Sequence, residues 1–211
     1  MDALDLGHVL VSGRLLPLVV VEDAAQAVPL GRALGAGGLT TVEVTLRTDA
    51  AVESLRRMAT ETDLVVGAGT VISPAQVDAV VEAGARYVVT PGFSASVVER
   101  CQTIGVPVIP GVATATEIQM AIEAGLNLLK FFPAEASGGV AALKALSGPF
   151  DRVRFVPTGG VTAENMTDYL RLKAVPAVGG SWMAPPDAVS SGDLERVTGL
   201  SRAAVAKAWS T

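Results

Sequence analysis

The sequence predicts an α/β protein of the (β/α)8 TIM-barrel class with a short N-terminal helix. Three observations support this class: eight short apolar runs, a helical pattern after each run, and no polar linker between successive units. Continuous apolar runs are typical of strands buried on both faces of a parallel sheet. Alternating strands and helices indicate right-handed parallel crossovers, and eight such units make up a TIM barrel. Residues 1–211 are therefore predicted to form a single domain.

A leading helix precedes the first strand. Residues 1–13 are predicted to be helical, because Leu4, Val9 and Leu10 supply apolar positions and Gly13 ends the pattern. The apolar runs predict strands at Leu15–Val21, Thr40–Arg47, Leu64–Gly69, Arg86–Thr90, Val106–Pro110, Leu126–Phe132, Val153–Pro157 and Val175–Gly179.

Each predicted strand is followed by a helical segment. Two helices have clear starts: Ser73-Pro74-Ala75-Gln76 combines an N-cap serine with proline at the first position, and Thr114–Glu117 has capping-box spacing. The helices are predicted at Asp23–Leu34, Thr48–Glu61, Ser73–Gly84, Ala95–Gln102, Thr114–Gly125, Val140–Ser147, Thr162–Lys173 and Asp193–Trp209.

A doubly wound open sheet is the nearest alternative architecture. Its dinucleotide-binding version carries G-x-G-x-x-G directly after the first strand. The closest stretch here, Gly67-Ala68-Gly69-Thr70-Val71-Ile72, lacks the third glycine. The 211 residues are fewer than the about 250 of a typical barrel, so a compact barrel is expected.

Composition argues against several classes of function. The net charge is −5 and no basic cluster is visible, so nucleic acid is not expected as a partner. The N-terminus is acidic where a signal peptide would be basic, and no apolar run approaches the roughly 18 residues of a membrane span. We expect a cytoplasmic protein without a membrane partner. Cys101 is expected to be structural, and no cysteine–histidine cluster has metal-ligand spacing, so no metal is expected.

One lysine occupies an unusual position. Lys130 lies inside the apolar and aromatic run Asn127–Glu135, whereas the other three lysines lie in predicted helices. An ammonium group removed from water loses hydration, so the neutral amine becomes accessible and can form a Schiff base with a carbonyl compound. The alternative is that Lys130 extends to solvent from an edge strand. Glu135, in the loop that follows, is a candidate for supporting the site.

In a barrel the functional site lies at the C-terminal ends of the strands. Side chains alternate along a strand, so Glu43, Thr45 and Arg47 are predicted to share one face of the second strand. Arg47 could grip a substrate carboxylate with two hydrogen bonds, and either Lys130 or Arg47 could balance the charge of Glu43. The alternative is a structural ion pair between Glu43 and Arg47. Thr70, at the end of the third strand, has either a binding role or a turn-capping role.

Glycine pairs follow the last two strands. Gly159-Gly160 comes after Thr158, and Gly179-Gly180 precedes Ser181. Glycine lets backbone N–H groups approach an anion, and the N-terminus of a following helix adds a favourable dipole. The loops after the last two strands commonly bind phosphate in barrels. The alternative is that each pair only makes a tight turn. With the amine and the carboxylate, the glycine pairs predict Schiff-base chemistry on a phosphorylated keto acid.

Six motifs, in unbroken order from about Pro17 onward, resemble those of the 2-keto-3-deoxy-6-phosphogluconate (KDPG) aldolase family, which also includes 4-hydroxy-2-oxoglutarate (KHG) aldolases. They are Glu43-Val44-Thr45-Leu46-Arg47-Thr48, Gly67-Ala68-Gly69-Thr70-Val71, Pro91-Gly92, Lys130-Phe131-Phe132-Pro133-Ala134-Glu135, Pro157-Thr158-Gly159-Gly160 and Gly180-Ser181-Trp182. The resemblance implies a homotrimeric barrel that acts as a class I aldolase without a metal or another cofactor.

The same resemblance implies roles for individual residues. Lys130 corresponds to the Schiff-base lysine and Glu43 to the general acid/base. The substrate-binding positions are Arg47, Thr70, Pro91, Phe132 and Thr158, and the phosphate-binding positions are Gly159, Gly160, Gly180 and Ser181. The role of Arg14, just before the first strand, stays open.

The predicted reaction is cleavage of KDPG into pyruvate and glyceraldehyde 3-phosphate. Cleavage of KHG into pyruvate and glyoxylate, or both activities in one enzyme, is the alternative, and the epimeric phosphogalactonate is a further candidate substrate. A phosphate-binding barrel isomerase and a non-enzymatic ligand-binding oligomer are more remote alternatives. The isomerase would share the glycine pairs but would not need Lys130 near Glu43.

Overall fold

The computed structural model describes residues 6–210 as alternating strands and helices. The strands are β1 (Leu15–Val19), β2 (Thr41–Thr45), β3 (Val65–Gly69), β4 (Val88–Val89), β5 (Val108–Ile109), β6 (Gly111–Val112), β7 (Leu128–Phe131), β8 (Arg154–Pro157) and β9 (Val178–Gly180). The helices are α1 (Leu6–Gly13), α2 (Ala27–Ala36), α3 (Ala51–Glu61), α4 (Pro74–Glu82), α5 (Ala95–Ile104), α6 (Ala115–Glu123), α7 (Gly139–Ser147), α8 (Met166–Leu170), α9 (Pro186–Ser191) and α10 (Leu194–Ala208).

All strand pairs are parallel, and they form two sheets. Six strands pair in the order β5-β4-β3-β2-β1-β9, and three pair in the order β6-β7-β8. Several contacts link the sheets. Among them, the Lys130 N–H donates to the Pro110 carbonyl oxygen at 2.8 Å, and Thr158 forms an isolated parallel bridge with Gly179. Pro110 has no N–H to donate, which explains why the predicted strand Val106–Pro110 stops there and pairing resumes in β6.

The two faces of the strands pack in different environments. The larger apolar cluster joins the strands to the helices and includes Val42 and Val44 of β2 and Leu129 and Phe131 of β7. A smaller cluster collects the residues on the opposite strand face, which are Leu16, Tyr87, Val89, Ile109, Val156 and Ala177. The strands therefore carry a second apolar cluster, on the face opposite to the one that packs against the large cluster.

Helix α1 covers one end of this second cluster. Leu6 and Leu10 of α1 are buried in the same small cluster as Leu16, which lies near the start of β1. The prediction of a leading helix is confirmed from Leu6 to Gly13, and residues 1–5 lie outside the described part of the chain. An apolar helix at the N-terminal ends of the strands leaves the opposite end for polar residues.

The helix starts that capping motifs predict are confirmed. Ser73 accepts a hydrogen bond from the Gln76 N–H, and Thr114 and Glu117 form a complete capping box. Asp23 also caps, accepting from the Ala25 N–H, but the first turn is a 3-10 turn and α2 begins only at Ala27.

Two helices near the C-terminal end of the chain differ from the prediction. The helix predicted over Thr162–Lys173 is confined to α8, because the Thr162 N–H donates to Asn165 Oδ1 at 2.8 Å and forms a side-chain turn instead of a helical one. Helix α9 was missed because Pro185-Pro186 and its serines resemble a loop in composition.

Replacement by alanine is expected to change stability in opposite directions at two glycines. A Cβ at Gly111 would lie 2.2 Å from the Pro91 carbonyl oxygen, so Gly111→Ala should lower the free energy of unfolding by about 1–3 kcal/mol. A Cβ at Gly199, within α10, would meet open space, so Gly199→Ala should raise it by about 0.4–1 kcal/mol. Denaturant unfolding measures both; equal effects would contradict the packing of Pro91 on β6.

Candidate active site

Lys130 lies within β7, and its side chain points away from the helices. It pairs in register with Gly111 of β6 and Val156 of β8, while its neighbours Leu129 and Phe131 belong to the large cluster beneath the helices. Only 5% of the residue is exposed, so it does not extend to solvent from an edge strand. The sequence-based prediction of a buried lysine is confirmed.

Glu43 of β2 is the partner of Lys130. The Lys130 Nζ donates to Glu43 Oε1 at 3.3 Å, and Glu43 is completely buried. The carboxylate needs the space that Gly69 leaves on β3, since a Cβ there would lie 2.1 Å from Oε1. Glu43 Oε2 has no hydrogen-bond partner among residues 6–210. Because a buried oxygen without a partner is costly, this atom is available to a substrate proton or to water.

Tyr87 forms part of the apolar layer beneath this pair, and sequence reasoning missed it. Its ring occupies the position that a side chain at Gly67 would take, since ring atoms lie 2.1–2.5 Å from a Cβ placed there. Its hydroxyl donates to the Val42 carbonyl oxygen at 2.8 Å. Burial and, to a lesser extent, the charge of Glu43 raise the pKa of Tyr87 well above its usual value, so the phenol stays neutral. Tyr87 precedes β4 directly, and its inward position followed from the strand alternation.

Phe132 links the lysine to the first glycine pair. The Lys130 Nζ lies 5.1 Å from the centre of the Phe132 ring, a distance at which a cation is attracted to an aromatic face. A Cβ at Gly159 would lie 3.1 Å from the same ring. The loop after β8 therefore adjoins the Lys130 site through one shared aromatic side chain.

Thr70 and Pro91 follow neighbouring strands and are both half-buried. Thr70 has a φ of 61°, a left-handed conformation that is strained for a β-branched residue. The turn around Pro91 is fixed by Thr90, whose hydroxyl donates to the Gly92 carbonyl oxygen at 2.6 Å and accepts from the Gly111 N–H at 3.3 Å. Two rigid turns thus border the strand ends.

Arg47 does not share the strand face that the sequence predicted. Strand β2 ends at Thr45, and the Arg47 N–H turns back to the Thr45 carbonyl oxygen at 2.8 Å. The side chain is exposed and makes no hydrogen bond or ion pair with any residue that the structure describes. The alternative of a structural Glu43–Arg47 ion pair is therefore wrong, because Glu43 pairs with Lys130.

The two glycine pairs have different structural causes. Gly159 and Gly160 have φ values of 94° and 83°, so a tight turn explains them, whereas Gly180 leaves room for the Trp182 ring, 2.0 Å from a Cβ at that position. Within residues 6–210, the N–H groups of Gly159, Gly160 and Ser181 donate no hydrogen bond. Thr158 is buried, with its hydroxyl 2.4 Å from a Cβ at Gly179.

The predicted contribution of helix dipoles to an anion site is not supported. Helix α8 begins at Met166 and α9 at Pro186, several residues beyond the two glycine pairs. Because a helix dipole acts within about the first turn, the backbone N–H groups of the loops are the donors that remain for an anion.

Arg14 lies at the opposite end of the strands. Its guanidinium donates to the carbonyl oxygens of Ala208, at 2.6 Å, and Leu170, at 3.2 Å, and it stacks on Trp209 with 5.5 Å to the ring centre. It borders a cleft of about 500 Å³ that also contains Arg154 and Lys173. This volume is within the usual range of ligand sites, but the cleft faces the N-terminal ends of the strands and contains neither Lys130 nor Glu43.

Other reactive groups are unremarkable in the described part of the chain. Cys101 is buried, and burial raises the pKa of its thiol to about 11, which fits the predicted structural role. Residues 6–210 contain no group of three or more histidine, cysteine, aspartate or glutamate side chains able to hold a metal ion. None of their helices is both long enough and apolar enough to cross a membrane.

Comparison with known proteins matches this geometry to one family. The family model described as KDPG and KHG aldolase matches residues 6–200. The chain is 47% identical over 202 residues to the 2-dehydro-3-deoxy-phosphogluconate aldolase of Dickeya dadantii, covering 95% of both chains. It is 46% identical over 198 residues to the KHG/KDPG aldolase of Escherichia coli K12, covering 93% of both chains.

A solved structure of a relative has the same fold. The KDPG aldolase of Legionella pneumophila, with pyruvate captured at low pH as a covalent carbinolamine intermediate, superposes with a TM-score of 0.90 at 42% identity. The match covers 93% of this chain and 96% of that one. Family model, sequence identity and superposition agree over nearly the whole length, and the chain belongs to the KDPG and KHG aldolase family of lyases.

Proposed function

We propose that this protein is a class I aldolase that cleaves KDPG into pyruvate and glyceraldehyde 3-phosphate. The observation that carries the proposal is the buried pair of Lys130 and Glu43, whose Nζ and Oε1 atoms lie 3.3 Å apart. The covalent carbinolamine in the Legionella relative supports the same Schiff-base chemistry here. The scheme uses no metal or other cofactor.

The reaction begins with addition of the Lys130 amine to the C2 ketone of the substrate. The amine reacts in its neutral form, and Glu43 lies close enough to receive the proton that Lys130 releases. A proton moves from the attacking nitrogen to the former ketone oxygen, which gives the carbinolamine. Glu43 then returns the proton that it received to the carbinolamine hydroxyl group, which leaves as water, so a protonated Schiff base forms and Glu43 is a carboxylate again. This positively charged group can accept the electron pair of the bond that breaks next.

Carbon–carbon cleavage requires a base at the C4 hydroxyl. We assign this base to Glu43, whose Oε2 has no hydrogen-bond partner among the described residues. Removal of the C4 hydroxyl proton forms the aldehyde of glyceraldehyde 3-phosphate, and the electrons of the C3–C4 bond move into the Schiff base. Protonation of the resulting enamine at C3, then addition of water at C2, releases pyruvate and regenerates Lys130.

Substrate contacts are proposed around this pair. Phe132, whose ring centre lies 5.1 Å from the Lys130 Nζ, is proposed to line the pyruvate part of the substrate. Thr70, Pro91 and Thr158, which follow β3, β4 and β8, are proposed to line it as well. Arg47 is exposed and without an ionic partner in the described chain, so its guanidinium is available to pair with the substrate carboxylate. A two-point hydrogen bond of this kind would orient the ketone toward Lys130.

The phosphate group is proposed to bind at the two glycine pairs. Gly159, Gly160, Gly180 and Ser181 form these loops, and the N–H groups of three of them, Gly159, Gly160 and Ser181, have no acceptor within residues 6–210. Backbone N–H groups in such turns form a concave site for an anion. Contact between Gly159 and Phe132 keeps this site next to the Lys130 amine.

KHG cleavage into pyruvate and glyoxylate is the second candidate. It is supported by the bifunctional name of the Escherichia coli relative, and it needs the same Lys130 and Glu43. The ratio of kcat/KM for the two substrates decides which dominates. The remote alternative, a phosphate-binding isomerase, has no use for the buried amine.

The proposal extends to architecture and assembly. We infer one domain in which the strands close into a (β/α)8 barrel, and the bridge between Thr158 and Gly179 and the hydrogen bond from Lys130 to Pro110 support closure. A homotrimer and a cytoplasmic location stay predictions, the trimer resting on the family resemblance alone. Size-exclusion chromatography with light scattering tests the trimer.

Substitution of Lys130 tests the covalent route. Lys130→Ala should abolish turnover and leave no pyruvate adduct after borohydride treatment, as measured by peptide mass spectrometry of the Lys130 region. The substitution also leaves Glu43 buried without a partner, at a cost of about 3–5 kcal/mol, so circular dichroism must verify folding. Lys144→Ala, at an exposed position of α7, is the control and should keep both adduct and activity. Folded wild-type protein that forms no adduct at Lys130 with ample pyruvate would contradict the aldolase and favour the isomerase.

Substitution of Glu43 separates proton transfer from Schiff-base formation. Glu43→Gln keeps the shape of the side chain but removes the base, so kcat should fall by about 10²–10⁴-fold. Borohydride should still trap some pyruvate on Lys130. Steady-state kinetics measures the loss of kcat, and the yield of the borohydride-trapped adduct measures Schiff-base formation. An unchanged kcat would assign the base to another group.

The backbone strain at Thr70 predicts a trade between stability and activity. Thr70→Gly removes the cost of a threonine at a φ of 61° and should raise the free energy of unfolding by about 1 kcal/mol. It also removes the proposed hydroxyl contact, so kcat/KM should fall by about tenfold. Thr60→Gly, at an exposed position of α3, is the control and should lower the free energy of unfolding slightly without changing kinetics. A destabilised Thr70→Gly protein would contradict the strain.

A further inference from the structure

Glu135 connects the loop after β7 to the loop after β8. The Ala134 N–H donates to the Thr158 carbonyl oxygen at 2.8 Å, and the Glu135 N–H donates to the Gly159 carbonyl oxygen at 3.0 Å. These hydrogen bonds join the two loops directly beyond the ends of β7 and β8. The position of the Gly159-Gly160 turn therefore depends on the position of Glu135.

The Glu135 side chain packs directly against this turn. A Cβ at Gly160 would lie 2.6 Å from both Cβ and Cγ of Glu135, so the glutamate stem fills the space on the side-chain face of Gly160. On the other side, Asn165 Nδ2 donates to the Gly160 carbonyl oxygen at 3.1 Å. The turn is held from two sides while its N–H groups stay without acceptors in the described chain.

Tyr169 holds the Glu135 carboxylate. The Tyr169 hydroxyl donates a short hydrogen bond to Glu135 Oε1, and the same oxygen lies 3.3 Å from a Cβ at Gly139. Tyr169 is a buried residue of α8, and burial together with Glu135 raises its pKa above the usual value, so the phenol stays protonated and can donate. The carboxylate charge is thereby fixed toward α7 and α8. A freely rotating carboxylate at this position could approach and repel a bound phosphate.

We propose that Glu135, fixed by Tyr169, is a positioning residue for the phosphate group of the substrate. It keeps the Gly159-Gly160 turn in the shape that presents free N–H groups, and it holds its own negative charge away from them. The pair therefore favours phosphorylated over non-phosphorylated keto acids without taking part in Schiff-base chemistry at Lys130. This inference rests on the proposed function, because it assigns the phosphate to that turn.

The test compares two substrates in the Tyr169→Phe enzyme, which loses only the hydroxyl. The KM for KDPG should rise by about tenfold, the factor expected for loss of one hydrogen bond to a charged group. The kcat for KDPG and the kcat/KM for KHG should stay within about twofold of the wild type. Glu135→Ala should reproduce the effect, and Glu135→Gln, which can still accept from Tyr169, should restore part of the affinity.

Tyr87→Phe is the matched control, because it removes the other tyrosine hydroxyl of the chain. Tyr87 donates to the Val42 carbonyl oxygen from its buried position and does not contact the turn. Any effect of this variant should change KDPG and KHG kinetics alike, since Glu43 serves both reactions. A general loss of stability would also change both substrates alike, so the substrate ratio separates positioning from folding.

Direct binding of inorganic phosphate separates this inference from the proposed function. Titration followed by phosphorus NMR should give a Kd that is about tenfold weaker in Tyr169→Phe than in the wild type, whether or not KDPG is cleaved. Wild-type protein that traps no pyruvate would overturn the proposed function alone. A wild type that binds no phosphate, or equal phosphate affinity in the folded variant, would overturn the role of Glu135 and leave the aldolase chemistry standing.

Discussion

The rest of the structure depends on the burial of one ammonium and one carboxylate together in an aliphatic interior. Burying either charge alone would carry a large free-energy cost of desolvation, and the hydrogen bond between Lys130 and Glu43 offsets part of that cost. The remaining Glu43 oxygen is not satisfied by the described residues, which leaves the pair short of its full hydrogen-bonding capacity. The apolar cluster that contains Tyr87 and the buried leucines of α1 lies beneath this polar pair.

Glycines determine the shape of the site as much as the larger residues do. Glu43 occupies the space beside Gly69, Tyr87 the space beside Gly67, and Thr158 the space beside Gly179. In each case a side chain on one strand fills the room that a glycine leaves on its neighbour. Interiors are close-packed, so a methyl group at any of these glycines would displace a functional side chain. The glycines thus act as shape determinants of the site and are not merely flexible points.

Much of this arrangement could be predicted from the sequence. Apolar runs located the strands, and the aromatic surroundings of Lys130 indicated its burial, because both signals are local. Arg47 was misplaced because β2 ends two residues early, which no alternation pattern reveals. Alternation along the fourth strand could have placed Tyr87 inward, but its hydrogen bond to Val42 spans 45 positions and leaves no local signal. Helix α8 was overestimated because the Asn165 side chain competes with helical hydrogen bonding. Long-range contacts and side-chain competition decided the details that pattern alone could not.

The packing of Gly180 against Trp182 also has an optical consequence. The chain contains two tryptophans, and the second, Trp209, stacks on Arg14 at the opposite end of the strands. Their indole fluorescence therefore originates from two separate environments, one beside the loop that follows β9 and one at the end of α10. With either indole replaced by phenylalanine, the remaining emission reports on a single end of the molecule. Ligand-induced changes near Ser181 could then be followed without interference from fraying of the C-terminal helix.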